Sequence, residues 1–289
     1  LMLQGLQRLG RVDVLVLAPG AKTVIEQVPT EGVNVIRASL AGSDRTFGRY
    51  RAKPGFTRRI EVELGTSMRE YDLIVGRYLW SICQLAIPGS VSTIVDLDDF
   101  NYRYSRLAPW SMRGLLERLR KRLAHALACR QLMRFHGWFV VSQPDYRSIC
   151  EFGAPSIEYL PNVPMGEFIN EIELAPGKSL LFVGSLWYRP NIEAVDWFLD
   201  RVWPSVIRRE PSATLLLAGA APQSRRAAWE RHSNVRAPGF VDDLGSAYRA
   251  ARGVIVPVLS GGGTNIKVLE ALANGKPCVV SEFVADAFG

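Results

Sequence analysis

Apolar positions along the chain fall into short runs separated by longer amphipathic stretches. Residues 12–18 form an almost unbroken apolar run, the pattern of a strand covered on both faces. Runs at 33–38, 72–75, 92–95 and 138–141 repeat it, with helical periodicity at 110–135 and 145–152. This alternation predicts a doubly wound parallel sheet. The rhythm stops at 161–178, PNVPMGEFINEIELAPGK, where prolines, glycines and glutamates without an apolar period mark a linker. It resumes with strands at 180–184, 213–218, 234–236, 253–258 and 277–281, and helices at 191–209, 223–231, 244–251 and 264–274. In the first of these helices Ala194, Val195, Phe198, Leu199, Val202, Trp203, Val206 and Ile207 share one side, a stripe expected to face a core. The expected organisation is two α/β domains, 1–163 and 179–289, joined by a linker at 164–178.

Length and composition narrow this picture. A chain of 289 residues with 48% hydrophobic positions suits two globular domains and excludes a disordered protein. No run approaches the ~18 apolar residues that a membrane-spanning helix needs. Cys83, Cys129, Cys150 and Cys278 lack CxxC or zinc-ligand spacing and fit small buried thiols of a reduced, cytoplasmic chain. The first ten residues, LMLQGLQRLG, lack the charged start and cleavage site of a signal peptide and have leucines at helical spacing. They read as the tail of a helix. The chain is therefore expected to lack both ends, the first domain missing its first strand.

Net charge is +7, but its location matters more. Between Arg103 and Arg134 lie nine basic residues and one acid, Glu117, so the remainder of the chain is nearly neutral. Leu115, Leu116, Leu119, Leu123, Leu127 and Met133 are interleaved with those cations. Two readings stand for this stretch: a long surface helix with its leucines in the core, or a basic amphipathic helix resting on an anionic membrane. Nucleic acid is not expected as a partner, because no helix-turn-helix, RNP motif or aromatic platform accompanies the charge. His125, His136 and His232 are scattered and form no nucleophilic triad.

Residues 260–281, SGGGTNIKVLEALANGKPCVVS, concentrate the chemistry. Gly262 and Gly263 lie between a strand and a helix opened by Thr264 and Asn265. Glycines admit a ligand close to the backbone, and unpaired N–H groups at a helix start suit a phosphate. Lys267 in the first turn adds a full positive charge, and Glu270, three residues on, shares its face and can accept hydrogen bonds from a ribose diol. The plainer alternative is a glycine-rich turn with a solvated Lys/Glu pair. Neither G-x-x-x-x-G-K-[ST] nor G-x-G-x-x-G after an opening strand occurs, which argues against P-loop and nicotinamide chemistry.

The stretch GGGTNIKVLEALANGKPCVVS resembles the donor-site signature of retaining glycosyltransferases of family 4. LLFVGSLWYRPNIEAVDWF, VRAPGFVDDLGSAYRAARGVIVP and VVSQPDYRSICEFGAPSIEYLPNV resemble other segments of that family in order and spacing. The resemblance implies a GT-B fold of two facing Rossmann-like domains. It further implies a nucleotide-diphospho-sugar donor and transfer with retention to a glycan or lipid-linked acceptor, without metal or cofactor. Lys267 would bind the diphosphate and Glu270 the ribose. The backbone of Gly262, Gly263, Thr264 and Asn265 would face phosphates and sugar, with Gly184 and Ser185 after the first strand, and Phe240 and Val241 would lie near the base. The pattern departs at Gly262, where the family carries a glutamate that contacts the donor sugar. It departs again where Ser185 and Pro190 replace an arginine and a lysine; Arg189 is the expected substitute. Asp96-Leu97-Asp98-Asp99 contains a D-x-D, a weak metal motif in the wrong half for this family's donor site. At a strand's carboxyl end, Asp98 and Asp99 are candidates for contact with acceptor or sugar, or are turn caps. Competing readings are a nucleotide-binding homologue without turnover and a GT-B sugar epimerase, for which the chain offers no placeable carboxylate–histidine set.

Overall fold

The computed structural model describes residues 2–288 except 21, 31, 42–49, 99, 101–102, 105–111, 152, 154–155 and 165–173. Two compact units emerge: Leu1–Phe100, Leu116–Val140 and Ser148–Glu158 form one; Asn101–Leu115, Val141–Arg147 and Tyr159–Gly289 form the other. The boundaries expected at 163/164 and 178/179 fall inside the second unit, and most of the anticipated linker lies outside the described residues.

After a short helix α1 (Met2–Gln7), the first unit opens with β1 (Asp13–Gly20), β2 (Val24–Val28) and β3 (Asn34–Ala41). β1 and β3 run parallel, but β2 pairs antiparallel with β3. This departs from the wholly parallel arrangement expected. The connection from Val28 to Asn34 is too short for a parallel crossover, so a hairpin is its solution, with Gly32 at φ 71° in the turn. Helix α2 (Pro54–Leu64) covers the sheet, packing Phe56, Ile60 and Leu64 with Ile36, Ala38 and Leu40 of β3. β4 (Leu73–Arg77), helix α3 (Leu79–Cys83) and β5 (Ser92–Leu97) follow, and a two-residue strand β6 (Arg103–Tyr104), which belongs to the second unit, precedes the long helix α4 (Met112–Leu132). With β7 (Gly137–Val140), helix α5 (Gln143–Glu151) and β8 (Ile157–Tyr159), a four-stranded sheet forms in the order β4-β5-β7-β8, parallel across β4, β5 and β7.

The second unit follows the sequence pattern closely. β9 (Ser179–Val183) leads to α6 (Arg189–Arg201) and α7 (Trp203–Arg209), then β10 (Thr214–Ala218), α8 (Gln223–Trp229) and β11 (Val235–Gly239). Next come α9 (Leu244–Ala250), β12 (Gly253–Val256), a short β13 (Ser260–Gly261), α10 (Ile266–Ala273), β14 (Cys278–Val280) and α11 (Glu282–Ala285). The helix expected over 191–209 is two helices. Pro204, in the first turn of α7, has no N–H to donate to the carbonyl of residue 200, so the ladder breaks at Val202.

Five parallel strands stand in the order β11-β10-β9-β12-β14. Both faces are covered, and the alternation within β9 shows it. Leu181 and Val183 join Val254, Val256, Val268, Ala271 and Val284 on one side. Phe182 joins Phe198, Leu199, Trp203, Leu215, Leu217 and Trp229 on the other. In this unit two buried indoles are satisfied: Trp203 donates to the Ser233 carbonyl at 2.9 Å and Trp229 to Asp196 Oδ1 at 2.7 Å. Of the four free thiols Cys83 and Cys129 are buried, but Cys278 is partly exposed and Cys150 exposed, contrary to the expectation that all four are buried.

Candidate functional site

Strand order fixes where a site can form in the second unit. β10 lies on one side of β9 and β12 on the other, so the connections leaving β9 and β12 turn to opposite faces of the sheet. Their carboxyl ends are therefore a topological switch point, the usual place of a ligand crevice in an open α/β sheet. Gly184 and Ser185 follow β9, and the glycine-rich turn with Lys267 follows β12.

Lys267 is the second residue of α10, with Asn265 as its N-cap. It is only 9% exposed, and among the described residues it has no ion-pair partner within 4 Å. Its ammonium donates instead to two carboxamide oxygens, Asn191 Oδ1 and Asn265 Oδ1, each at 3.3 Å, and lies 5.8 Å from the centre of the Phe182 ring. Burial pulls its pKa down to about 8, against a smaller upward pull from the Glu270 charge. Asn191, 6% exposed on α6, turns its amide nitrogen to the Ser185 carbonyl at 2.8 Å. Gly184 sits between them: a Cβ there would lie 3.0 Å from Asn191 Nδ2 and 3.2 Å from Lys267 Cε.

One turn further along α10, Glu270 Oε2 accepts from the Tyr248 hydroxyl. Burial, reinforced by the Glu270 charge, raises the Tyr248 pKa well above that of an ordinary phenol. In the preceding turn Thr264 Oγ1 accepts from Asn162 Nδ2 at 2.8 Å, and Gly263 takes φ 59°, a conformation that favours glycine. Gly262 is half-buried. The turn is also fixed by backbone pairing, since β13 runs antiparallel to β6 with Ser260 opposite Tyr104 and Gly261 opposite Arg103.

The loops after β9, β10 and β11 are stitched into one floor. Gly184 N donates to Ala218 O at 3.0 Å, Leu186 N to Ala220 O at 3.0 Å, and Gly219 N to Gly239 O at 2.8 Å. Gly219, at φ 151°, lies so close to the chain that a Cβ would fall 1.8 Å from the Gly184 carbonyl oxygen. Beyond Gly239 the Phe240 ring is 75% exposed, whereas Val241 is partly buried against the core. Arg189, the first residue of α6, is exposed, and its Nε donates to Glu193 Oε1 at 2.7 Å.

The residues anticipated after β9 and β12 therefore gather at one switch point. Asn191, Tyr248 and Gly219 escaped the sequence reading. Only Asn191 left a signal: it shares the stripe of Ala194, Val195 and Phe198, so a polar residue sits on a core-facing side.

Asp98 belongs to the first unit. Its Oδ2 accepts from Arg77 at 2.9 Å and from the Tyr78 hydroxyl at 3.4 Å, and Tyr78 holds φ 64° at the start of α3. Asp96 before it is buried, which pushes its carboxyl pKa up. Asp99 lies outside the described residues.

Of the α4 leucine stripe, Leu127 is partly buried and the side chain of Leu116 lies outside the described residues. Leu115, Leu119 and Leu123 are exposed, as is Met133 just beyond the helix, beside exposed Arg120, Arg122, Arg130 and Arg134. Ala128, Cys129 and Leu132 make the buried contact. Among the described residues no helix is long and apolar enough to cross a membrane.

A protein of 44.6 kDa from the cps region of Klebsiella pneumoniae, itself uncharacterized, is 27% identical over 104 residues, which span 33% of this chain and 27% of that protein. Solved structures are similar at the level of the fold. Sucrose-phosphate synthase of Thermosynechococcus elongatus superposes with a TM-score of 0.63 at 16% identity, over 96% of this chain and 73% of that one. A trehalose-6-phosphate protein from E. coli bound with UDP-2-fluoro glucose gives 0.58 at 11% identity, over 99% and 81%. TarM gives 0.56 at 10% identity, over 72% of this chain and 40% of TarM. The chain thus has the α/β GT-B fold, and its residues 177–287 match the family described as Glycosyl transferases group 1.

Proposed function

We propose that the chain is a retaining glycosyltransferase of family 4 type, which takes a sugar from a nucleotide-diphospho-sugar and passes it to a glycan or lipid-linked acceptor. The observation that carries this reading is Lys267, an ammonium buried without a carboxylate partner among the described residues at the carboxyl ends of β9 and β12. A buried charge held by neutral dipoles is costly unless an anion completes it. Placed against the donor diphosphate, it stabilises the charge that grows on the leaving group, and the N–H groups opening α10 add to that effect. The charge is supplied by the protein, so the reading calls for no metal. Glu270 accepts from the ribose hydroxyls, and Phe240 and Val241 border the base. Gly262, Gly263, Thr264 and Asn265 bring backbone to the phosphates and sugar beside Gly184 and Ser185. Arg189 is a second cation for the diphosphate. Asp98, held by Arg77 and Tyr78, is the candidate for acceptor or sugar contact in the first unit.

Two structural neighbours support the donor class by description: one carries UDP-2-fluoro glucose, and a trehalose-6-phosphate synthase is described as transferring with retention. The exposed leucines of α4 favour a place on the anionic inner membrane surface, in reach of lipid-linked acceptors. A second reading, nucleotide binding without turnover, draws on Gly262 standing where the family carries a glutamate.

Calorimetry with UDP and GDP on the wild-type chain and Lys267→Ala tests the donor site. Saturable binding of one nucleotide, lost in the variant, is expected. Equal binding by both proteins would remove Lys267 from the site.

A further inference from the structure

Both polar ends of one buried carboxamide are engaged at this switch point. Asn191 Oδ1 accepts from the Lys267 ammonium at 3.3 Å, while Asn191 Nδ2 donates to the Ser185 carbonyl at 2.8 Å. At this side-chain length only an amide both accepts from an ammonium and donates to a carbonyl. Aspartate would set a second oxygen against the Ser185 carbonyl and a full negative charge against Lys267. An apolar residue would leave the ammonium short of an acceptor and the carbonyl short of a donor.

We infer that Asn191 is the positioning residue of the anion site: it holds Lys267 beside the glycine-rich turn without neutralising it, so that the positive charge stays available to a diphosphate. The inference rests on the donor reading above and adds to it a residue that acts through Lys267. The groups facing the ammonium bear it out. From β9 comes the Phe182 ring, from α6 the Asn191 amide and from the N-cap the Asn265 amide, all uncharged. The charge that acts on it is Glu270, on its own helix. A carboxylate in place of either amide would compete with any incoming anion. Asn191 also couples two parts of the site, because the same amide that fixes Lys267 fixes the loop carrying Gly184 and Ser185.

The test needs a readout of Lys267 itself. In nucleotide-free protein labelled with ¹³C at lysine Cε, the Lys267 resonance, assigned by its loss in Lys267→Ala, is titrated with pH. The wild-type midpoint is expected near 8. Asn191→Asp is expected to raise it by about one pH unit or more, and Asn191→Ala to lower it, since one adds an opposite charge and the other removes an acceptor. Calorimetry with UDP at pH 7 is expected to show about tenfold weaker binding to Asn191→Asp, and Asn191→Ala should lose affinity at a lower pH than wild type. Thermal melts verify that each variant is folded, and the two variants move the midpoint in opposite directions, which loosened packing would not do. UDP binding by the wild type together with unmoved midpoints in the variants overturns the role of Asn191 alone. No UDP binding by the wild type overturns the donor reading and the positioning role with it.

Discussion

The Tyr248 hydroxyl donates to Glu270 Oε2 at 3.2 Å, tying α9 to the helix that carries Lys267. The tyrosine ring is buried in the core, so its hydroxyl is a fixed point from which the carboxylate is aimed. If Glu270 receives a ribose diol, loss of that hydroxyl affects the nucleoside and not the phosphates. Tyr248→Phe is expected to weaken UDP about threefold to tenfold, in line with a hydrogen bond worth ~1 kcal/mol, and Glu270→Gln more. Inorganic pyrophosphate should bind each variant as it binds wild type. Paired titrations decide the matter: an equal loss for both ligands would take Glu270 away from the ribose.

Lys267 costs the empty protein stability. Its folded pKa, about 8, lies below the 10.5 of a free lysine, so between those values the unfolded chain binds more protons than the folded one. The penalty is full below pH 8 and is relieved as pH rises toward 10.5. Lys267→Met should therefore stabilise the unliganded chain at pH 7 by up to about 3 kcal/mol while abolishing diphosphate binding. Urea denaturation beside UDP calorimetry checks both halves. A destabilised Met variant would mean that the ammonium already has a compensating partner.

A diphosphate role for Lys267 carries a pH limit. If its charged form recruits the diphosphate, UDP affinity is expected to hold from pH 6 to 7.5 and fall about tenfold per unit well above pH 8. In Lys267→Arg, whose cation does not titrate in that range, any binding that survives should be flat with pH. A wild-type affinity independent of pH up to 10 would contradict the assignment.

Gly219 is the most intolerant position of the floor beneath the site. A methyl group there would overlap the Gly184 carbonyl, and the residue's φ of 151° is strained for any L side chain. Gly219→Ala is expected to cost about 2–4 kcal/mol and to displace the loop after β9, so that UDP binding falls with stability. Gly10→Ala, with open space around its Cβ, is the control and should change neither.

Exposed Leu119 and Leu123 beside Arg120 and Arg122 make the membrane question answerable. Vesicles containing phosphatidylglycerol should sediment the wild-type chain, and pure phosphatidylcholine vesicles should not. Leu119→Ser with Leu123→Ser should abolish association even at low salt, whereas Arg120→Gln with Arg122→Gln should make it more sensitive to salt. Retention of the leucine double variant on the vesicles would show attraction by charge alone.

The parallel sheet of the second unit was legible because its strands are buried on both faces and leave near-continuous apolar runs, and the turn at Gly262–Gly263 with Lys267 and Glu270 was legible because one loop and one helix carry all of it. What escaped depends on partners far apart in the chain. Asn191 reaches Lys267 across 76 positions and Tyr248 reaches Glu270 across 22. Gly219 matters only because β10 lies beside β9, a fact of topology. The hairpin of β2 was missed because VIEQV alternates poorly, and the connection length decides its direction. The leucines of α4 were ambiguous for a different reason: helical spacing says that residues share a side, not which side meets the core.

The bridge between Ser260–Gly261 and Arg103–Tyr104 bears on how this protein can be taken apart. Grafting everything from residue 179 onward onto a related chain would carry the glycine-rich turn but leave behind the strand against which its backbone is paired. Such grafts would inherit the right side chains on an unanchored loop. A modular exchange has to carry residues 101–115, 141–147 and 159–178 along with the C-terminal segment, making the transferable piece discontinuous in the gene although compact in space.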